Sequence, residues 1–172
     1  MAIGVNRALL FLDVDGTVLP YGAADSTAVQ VDWSAWQRPD NPALSRVSRI
    51  LGERILALGC ELIWATGWAE DANLVISPIL GLPRLPVVTL PEYPEGDYYD
   101  DGLHWKTRTL VELAAGRPFI WIDDEIRHHD EIWVRGNHPG RALLHRVDGA
   151  AGLLDADFAA IAEWLRGVRG SG

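Results

Sequence analysis

Leu9-Leu10-Phe11-Leu12-Asp13-Val14-Asp15-Gly16-Thr17 is the stretch on which the fold turns. The run from Ala8 to Leu12 is apolar without alternation and has strand length. It therefore suits a central parallel strand covered by helices on both faces. Asp13 and Asp15 fall where that strand stops, and Gly16 turns the chain. In open α/β sheets the carboxyl ends of strands border the ligand crevice, so two carboxylates placed there mark a candidate site. An ordinary Asp-Gly turn closing a strand would read the same way locally. The segments that follow decide between the two.

Downstream, Pro20, Gly22, Pro39 and Pro42 punctuate an excursion over about 19–42, which reads as a flap after the first strand. Val29–Trp33 suggests a short strand within it, and Trp33 and Trp36 either seal the flap onto the body, the favoured reading, or stack on a substrate. Leu44, Val47, Ile50, Leu51, Ile55 and Leu58 recur at helical spacing before Gly59. Glu61–Ala65 reads as the second strand, with Thr66-Gly67 at its end. Glu70–Leu80 has helical character, broken by Pro78, Gly81 and Pro83. Leu85–Leu90 reads as a short third strand despite Pro86, and about 89–104 as a second loop.

Trp105–Ala115 is then expected to be helical, with Lys106 in its first turn. Pro118–Ile122 is a fourth apolar strand ending in Asp123-Asp124-Glu125. Ala142–Val147 is a fifth, and Phe158–Val168 is a closing helix. Strands alternating with helices predict one α/β domain over 1–172, a three-layer Rossmann-like sandwich around a parallel sheet of about five strands.

The chain has 172 residues, 48% of them hydrophobic, enough for a substantial single core. No apolar run approaches the ~20 residues of a membrane span, so no membrane association is expected. The first apolar stretch follows Arg7 and runs into aspartates, which reads as a strand and not as a leader. The single cysteine, Cys60, has no intramolecular partner, and a reducing cytoplasmic setting is expected. A net charge of -9 opposes broad attraction to nucleic-acid phosphates. No obligate protein partner is evident.

Three strand ends thus carry Asp13 with Asp15, Thr66, and Asp123 with Asp124, and a lysine opens the helix before the last of them. This order resembles the haloacid dehalogenase superfamily of aspartate-nucleophile phosphotransferases. Asp13-Val14-Asp15-Gly16-Thr17 looks like its first motif, Thr66 its second, Lys106 its third and Asp123-Asp124 its fourth. The first of these is specific; Thr66 and Lys106 gain weight from order and placement. Both inter-motif segments are short, so the chain resembles a capless or minimally capped member.

The resemblance implies Asp13 as nucleophile, Asp15 as general acid and then base, and Thr66 and Lys106 as the remaining catalytic groups. Val14, Gly16, Thr17, Thr66, Gly67 and Lys106 would surround the phosphoryl group. Carboxylates crowded into one crevice repel unless a cation compensates, and hard oxygen ligands suit Mg²⁺. By resemblance its ligands would be Asp13, the Asp15 carbonyl and Asp123, with Asp124 assisting. Mg²⁺ and Lys106 together would lower the pKa of Asp13 and keep it ionised for attack on phosphorus.

The expected activity is Mg²⁺-dependent phosphomonoester hydrolysis through an aspartyl-phosphate. The substrate would be a phosphorylated small molecule, favoured by acidity, or a nucleic-acid end, which a capless entrance would admit. The rival from another class is a non-catalytic binding module of the same fold. His128 and His129 are adjacent, so their rings diverge on a helix, and Mg²⁺ prefers oxygen, which points to surface or supporting roles. His104, His138 and His145 read as structural. Arg84, Arg135 and Arg141 are candidates for reading a second substrate group.

Overall fold

A computed structural model describes residues 7–22, 32–92 and 101–170. The elements in chain order are β1 (Leu9–Leu12), α1 (Trp33–Trp36), a 3₁₀ turn (Pro42–Arg46), α2 (Arg49–Ala57) and β2 (Glu61–Trp64). A π-helical turn (Ala72–Ile76) and α3 (Ser77–Leu80) follow, then α4 (Thr107–Ala114), β3 (Phe119–Asp123), α5 (His128–Asn137), β4 (Ala142–Arg146) and α6 (Asp155–Arg169). Among the described residues this is an α/β fold with a four-stranded, all-parallel sheet in the order β2-β1-β3-β4. It is consistent with a Rossmann-like arrangement.

The unbroken apolar character of β1 and β3 follows from their place at the centre of the sheet. Every residue of both strands is buried, because helices cover both faces. Leu10 and Leu12 point into one core layer with Ile55 of α2, Leu80 of α3 and Phe158, Ile161 and Leu165 of α6. Leu9 and Phe11 point the other way, onto Leu110 and Ala114 of α4 and Val134 of α5. This period-two division gives the three layers.

The sheet has four strands, not about five. The expected strand at Leu85–Leu90 contributes one parallel bridge, Trp64 to Val87, at the edge beside β2. Pro86 can accept from the Trp64 amide at 2.9 Å and Val88 can donate back at 2.8 Å. Pro83 and Pro86 have no N–H to extend a ladder, so pairing stops there. The side chain of Asn73 pins the segment instead, accepting from the Leu85 amide and donating to its carbonyl, both at 2.9 Å.

Two predicted helices are divided. Asn41 accepts from the Ala43 amide to start the 3₁₀ turn, and Ser48 accepts from the Ile50 amide to start α2 afresh. In the 70–80 segment Pro78 lies inside α3 instead of breaking it, after a π-helical turn. Within the flap, Asp32 caps α1 and Trp33 opens it, while Val29–Val31 of the expected short strand lie outside the described residues. So do residues 93–100 of the second loop. No helix among the described residues is long and apolar enough to cross a membrane.

The chain leaves β1 toward β2 and leaves β3 toward β4, in opposite directions. The switch point therefore lies between β1 and β3, where parallel α/β sheets open a crevice at their carboxyl ends. Asp13 follows β1 and Asp123 ends β3, and the Asp13 amide donates to the Ile122 carbonyl at 3.1 Å. Register alone thus brings these two acids side by side.

Candidate active site

Lys106 joins the two central strand ends. Its Nζ lies 2.9 Å from Asp13 Oδ1 and 2.7 Å from Asp123 Oδ2, and all three side chains are buried. Lys106 stands at the N-cap position of α4, one residue before the helix and not within its first turn. The fully buried ring of His104 supports it there: Nδ1 accepts from the Lys106 amide at 3.3 Å, and Nε2 faces Glu125 Oε2 at 3.3 Å. An accepting Nδ1 puts the ring hydrogen on Nε2, which then donates to Glu125.

The carboxylate oxygens of Asp13, Asp123 and Asp124 lie within 4.8 Å of one another, as do donor atoms of His104, Asp123 and Glu125. Asp123 is fixed on both oxygens, with Oδ1 accepting from the Glu125 amide at 3.0 Å and Oδ2 from the Trp121 indole at 3.2 Å. Asp124 is boxed in by two glycines. A Cβ on Gly16 would fall 2.4 Å from Asp124 Oδ2, and one on Gly149 would fall 2.6 Å from it. Gly16 also has φ +68°, the left-handed conformation that closes the turn after Asp15.

The electrostatics are those of a site short of positive charge. Burial pushes the Asp13 carboxyl well above the usual carboxylate range, with Lys106 pulling the other way. Lys106 acts on Asp13 in the expected, lowering direction, but desolvation outweighs it, and one ammonium is shared with Asp123. At Asp123 burial acts in the same sense, yet Lys106 prevails and holds its carboxyl below the usual range. The Lys106 ammonium is desolvated as well, and the two aspartates hold it above its ordinary value. Asp124 is pushed up to about 8 by burial and by Asp123 and Glu125.

Asp15 is held in an unexpected way. The indole nitrogens of Trp36 and Trp68 both donate to its Oδ1, at 2.7 and 2.9 Å, and Gln37 Nε2 meets Oδ2 at 3.3 Å. Burial nevertheless raises its pKa, against these three donors. Trp36 and Gln37 come from the flap, so α1 is tied to the site as well as packed on the core. Trp68 comes from the turn after β2, where Thr66 Oγ1 accepts from the Trp68 amide at 3.2 Å. That leaves the Thr66 hydroxyl hydrogen for another acceptor.

Asp13, Asp15, Thr66, Gly67, Lys106 and Asp124 all border one cavity of about 810 Å³. Val14, Gly16 and Thr17 do not line it. The Gly16 amide donates to the Leu19 carbonyl at 2.9 Å and the Thr17 amide to the Val14 carbonyl at 3.1 Å, so the turn consumes both donors. Thr17 is fully buried and its hydroxyl has no partner among the described residues. Asp123 does not line it but pairs with Lys106, which does.

Sequence reasoning did not assign Trp36, Gln37, Trp68, His104 or Glu125 to the site. The adjacency of Glu125 to Asp123-Asp124 was the one available signal; the others depend on folding. His128 and His129 are exposed on α5. His138 meets the Arg117 carbonyl at 3.0 Å and His145 meets Asp157 at 2.8 Å, both away from the cavity. Arg84, Arg135 and Arg141 do not line it either. No family model, curated protein or solved structure matches the chain.

Proposed function

We propose that the protein is a divalent-cation-dependent phosphomonoester hydrolase that works through an aspartyl-phosphate on Asp13, as a member of the haloacid dehalogenase superfamily. The observation that carries this reading is the bridge from Lys106 to Asp13 and Asp123, in a cavity that Asp15, Thr66 and Asp124 also face.

The donor set fits Mg²⁺. Asp13, Asp123 and Asp124 offer hard carboxylate oxygens within 4.8 Å of one another, and their charge exceeds what one lysine balances. These three would hold the ion, with the Asp15 carbonyl as a further oxygen ligand. Bound there, Mg²⁺ would supply charge compensation for the phosphoryl oxygens and keep Asp13 ionised.

The remaining steps belong to the chain. Asp13 attacks phosphorus, forming a carboxylate O–P bond as the bond from phosphorus to the alcohol oxygen breaks. Asp15, whose Oδ1 is engaged by the two indoles, carries its proton on Oδ2 and protonates the departing oxygen. Water then attacks the aspartyl-phosphate, Asp15 takes the water proton, and cleavage of the Asp13 O–P bond frees inorganic phosphate. Thr66 donates its hydroxyl to a phosphoryl oxygen, and Lys106 holds Asp13 in place and neutralises charge. Because such esters hydrolyse very slowly in water, by up to ~10²¹-fold relative to their enzymes, positioning must be shared among these groups.

The test is hydrolysis of a panel of phosphomonoesters with and without Mg²⁺, using the native chain and Asp13→Asn. Metal-dependent release of phosphate that the substitution abolishes, with the circular dichroism unchanged, is expected. No hydrolysis of any ester, or full activity in Asp13→Asn, would overturn the proposal.

A further inference from the structure

We infer that the site selects phosphomonoesters whose alcohol portion is uncharged and apolar, aromatic above all, and rejects esters that bring further negative charge. The inference rests on the phosphatase reading above and names the substrate class of that same cavity.

At about 810 Å³ the cavity lies in the range of pockets that enclose a small organic molecule, far more than a phosphoryl group fills. The space beyond the reacting groups is walled by Tyr21, Trp33, Val87, Val88, Leu90 and Trp105. Trp105 and Val88 are buried, forming an interior apolar wall, while Trp33 is 40% exposed at the rim on α1. An aromatic or aliphatic group docking there removes apolar surface from water and meets flat ring faces.

The charges around the same space point one way. Asp13, Asp15, Glu70, Asp124 and Glu125 line the cavity, and Lys106 is the single lysine or arginine among the described lining residues. Lys106 is already engaged by Asp13 and Asp123, and Glu70 faces Arg84 at 2.9 Å. Residues 23–31 and 93–100 contain no lysine or arginine, so they add no cation. With Lys106 and a bound Mg²⁺ serving the phosphoryl group, a carboxylate or second phosphate on the substrate would be taken out of water beside acids, with no further lysine or arginine among the described lining residues to pair it. Polynucleotide binding combines stacking aromatics with a basic groove that follows the backbone. Here the aromatics are present and the basic groove is not, which favours the small-molecule class.

The experiment compares benzyl phosphate with phosphoglycolate and with a 5′-phosphorylated oligonucleotide at saturating Mg²⁺, on the native chain. A parallel calorimetric titration measures binding of the non-hydrolysable benzylphosphonate and phosphonoacetate. The expected result is a kcat/KM at least about tenfold higher for benzyl phosphate, with benzylphosphonate binding tighter by about the same factor. Trp33→Ala should raise KM for benzyl phosphate by a larger factor than KM for phosphoglycolate. Glu70→Lys should narrow the gap by improving phosphoglycolate. Turnover with an equal or reversed ranking overturns this inference while the phosphatase reading stands. No turnover of any ester overturns that reading, and a binding preference for phosphonoacetate overturns the substrate class by itself.

Discussion

Trp36 and Trp68, one from the flap and one from the turn after β2, donate their indole N–H groups to the same carboxylate oxygen of Asp15. Oδ2 takes the longer contact from Gln37, at 3.3 Å, and is the oxygen proposed to carry the proton of the first chemical step. The arrangement also couples the position of α1 to the readiness of the acid, because Trp36 and Gln37 reach Asp15 from that helix.

Removing either indole donor therefore changes the acid. Both donors lower the Asp15 pKa against burial, so Trp36→Phe and Trp68→Phe should each move the Asp15 limb of the pH–rate profile upward. A hydrogen bond to a charged acceptor contributes about 1–3 kcal/mol, and a stability loss of that size is expected from each. Because the two share one oxygen, the double variant should depart from additivity. An unmoved pH profile in both would show that the indoles merely pack.

Lys106→Met leaves Asp13 and Asp123 buried with no ammonium between them. Breaking a buried ion pair from one side typically costs about 3–5 kcal/mol, so the urea midpoint should fall by a corresponding amount. Activity should vanish with it. A loss of stability under about 1 kcal/mol would mean that the bridge contributes little.

The raised carboxyl at Asp124 predicts a pH dependence whose sign is fixed. A group with an ordinary value of 3.8 that titrates at about 8 in the folded chain binds more proton when folded throughout that interval. Stability of the metal-free protein should consequently fall as pH rises from about 4 to about 8, and Asp13 and Asp15, also raised, act in the same direction. A divalent cation must displace the Asp124 proton, so the melting-temperature gain from Mg²⁺ should grow from about pH 6 to about pH 9, with proton release on binding. Asp124→Asn should flatten the trend. A gain independent of pH in the native chain would contradict the assignment.

Gly149→Ala tests the box around Asp124. The new methyl would lie 2.6 Å from Oδ2, so the carboxylate must shift from the place where it stands beside Asp13 and Asp123. Mg²⁺ affinity measured by calorimetry should drop by about tenfold or more, with a smaller change in folding stability. Unchanged affinity would place the ion elsewhere.

Legibility in the sequence followed the distance over which each signal acts. The strand carrying Leu9–Leu12 and its terminal acids was readable because apolar continuity and the Asp-Gly turn are local features. Lys106 and Asp123 were readable from their order along the chain, and the parallel register between β1 and β3 brings their partner Asp13 alongside. The expected third strand, at Leu85–Leu90, failed because Pro83 and Pro86 deny the ladder its donors while Val87, Val88 and Leu90 still look strand-like. Trp36 reads from the sequence as a packing residue and Trp68 has no local signal, since nothing nearby separates a tryptophan that fills a core from one whose N–H meets an acid distant in sequence. His104 was hidden for the same reason: its partners, Glu125 and the Lys106 amide, meet it through the fold.

The central claim is that Asp13 carries the phosphoryl group, and rapid acid quenching of a turnover mixture with Mg²⁺, followed by peptide mass mapping, addresses it directly. A phosphoryl adduct on the peptide containing Asp13, absent without Mg²⁺ and absent in Asp13→Asn, is the predicted result. Phosphate release at full rate from Asp13→Asn, or an adduct on another residue, would contradict the account.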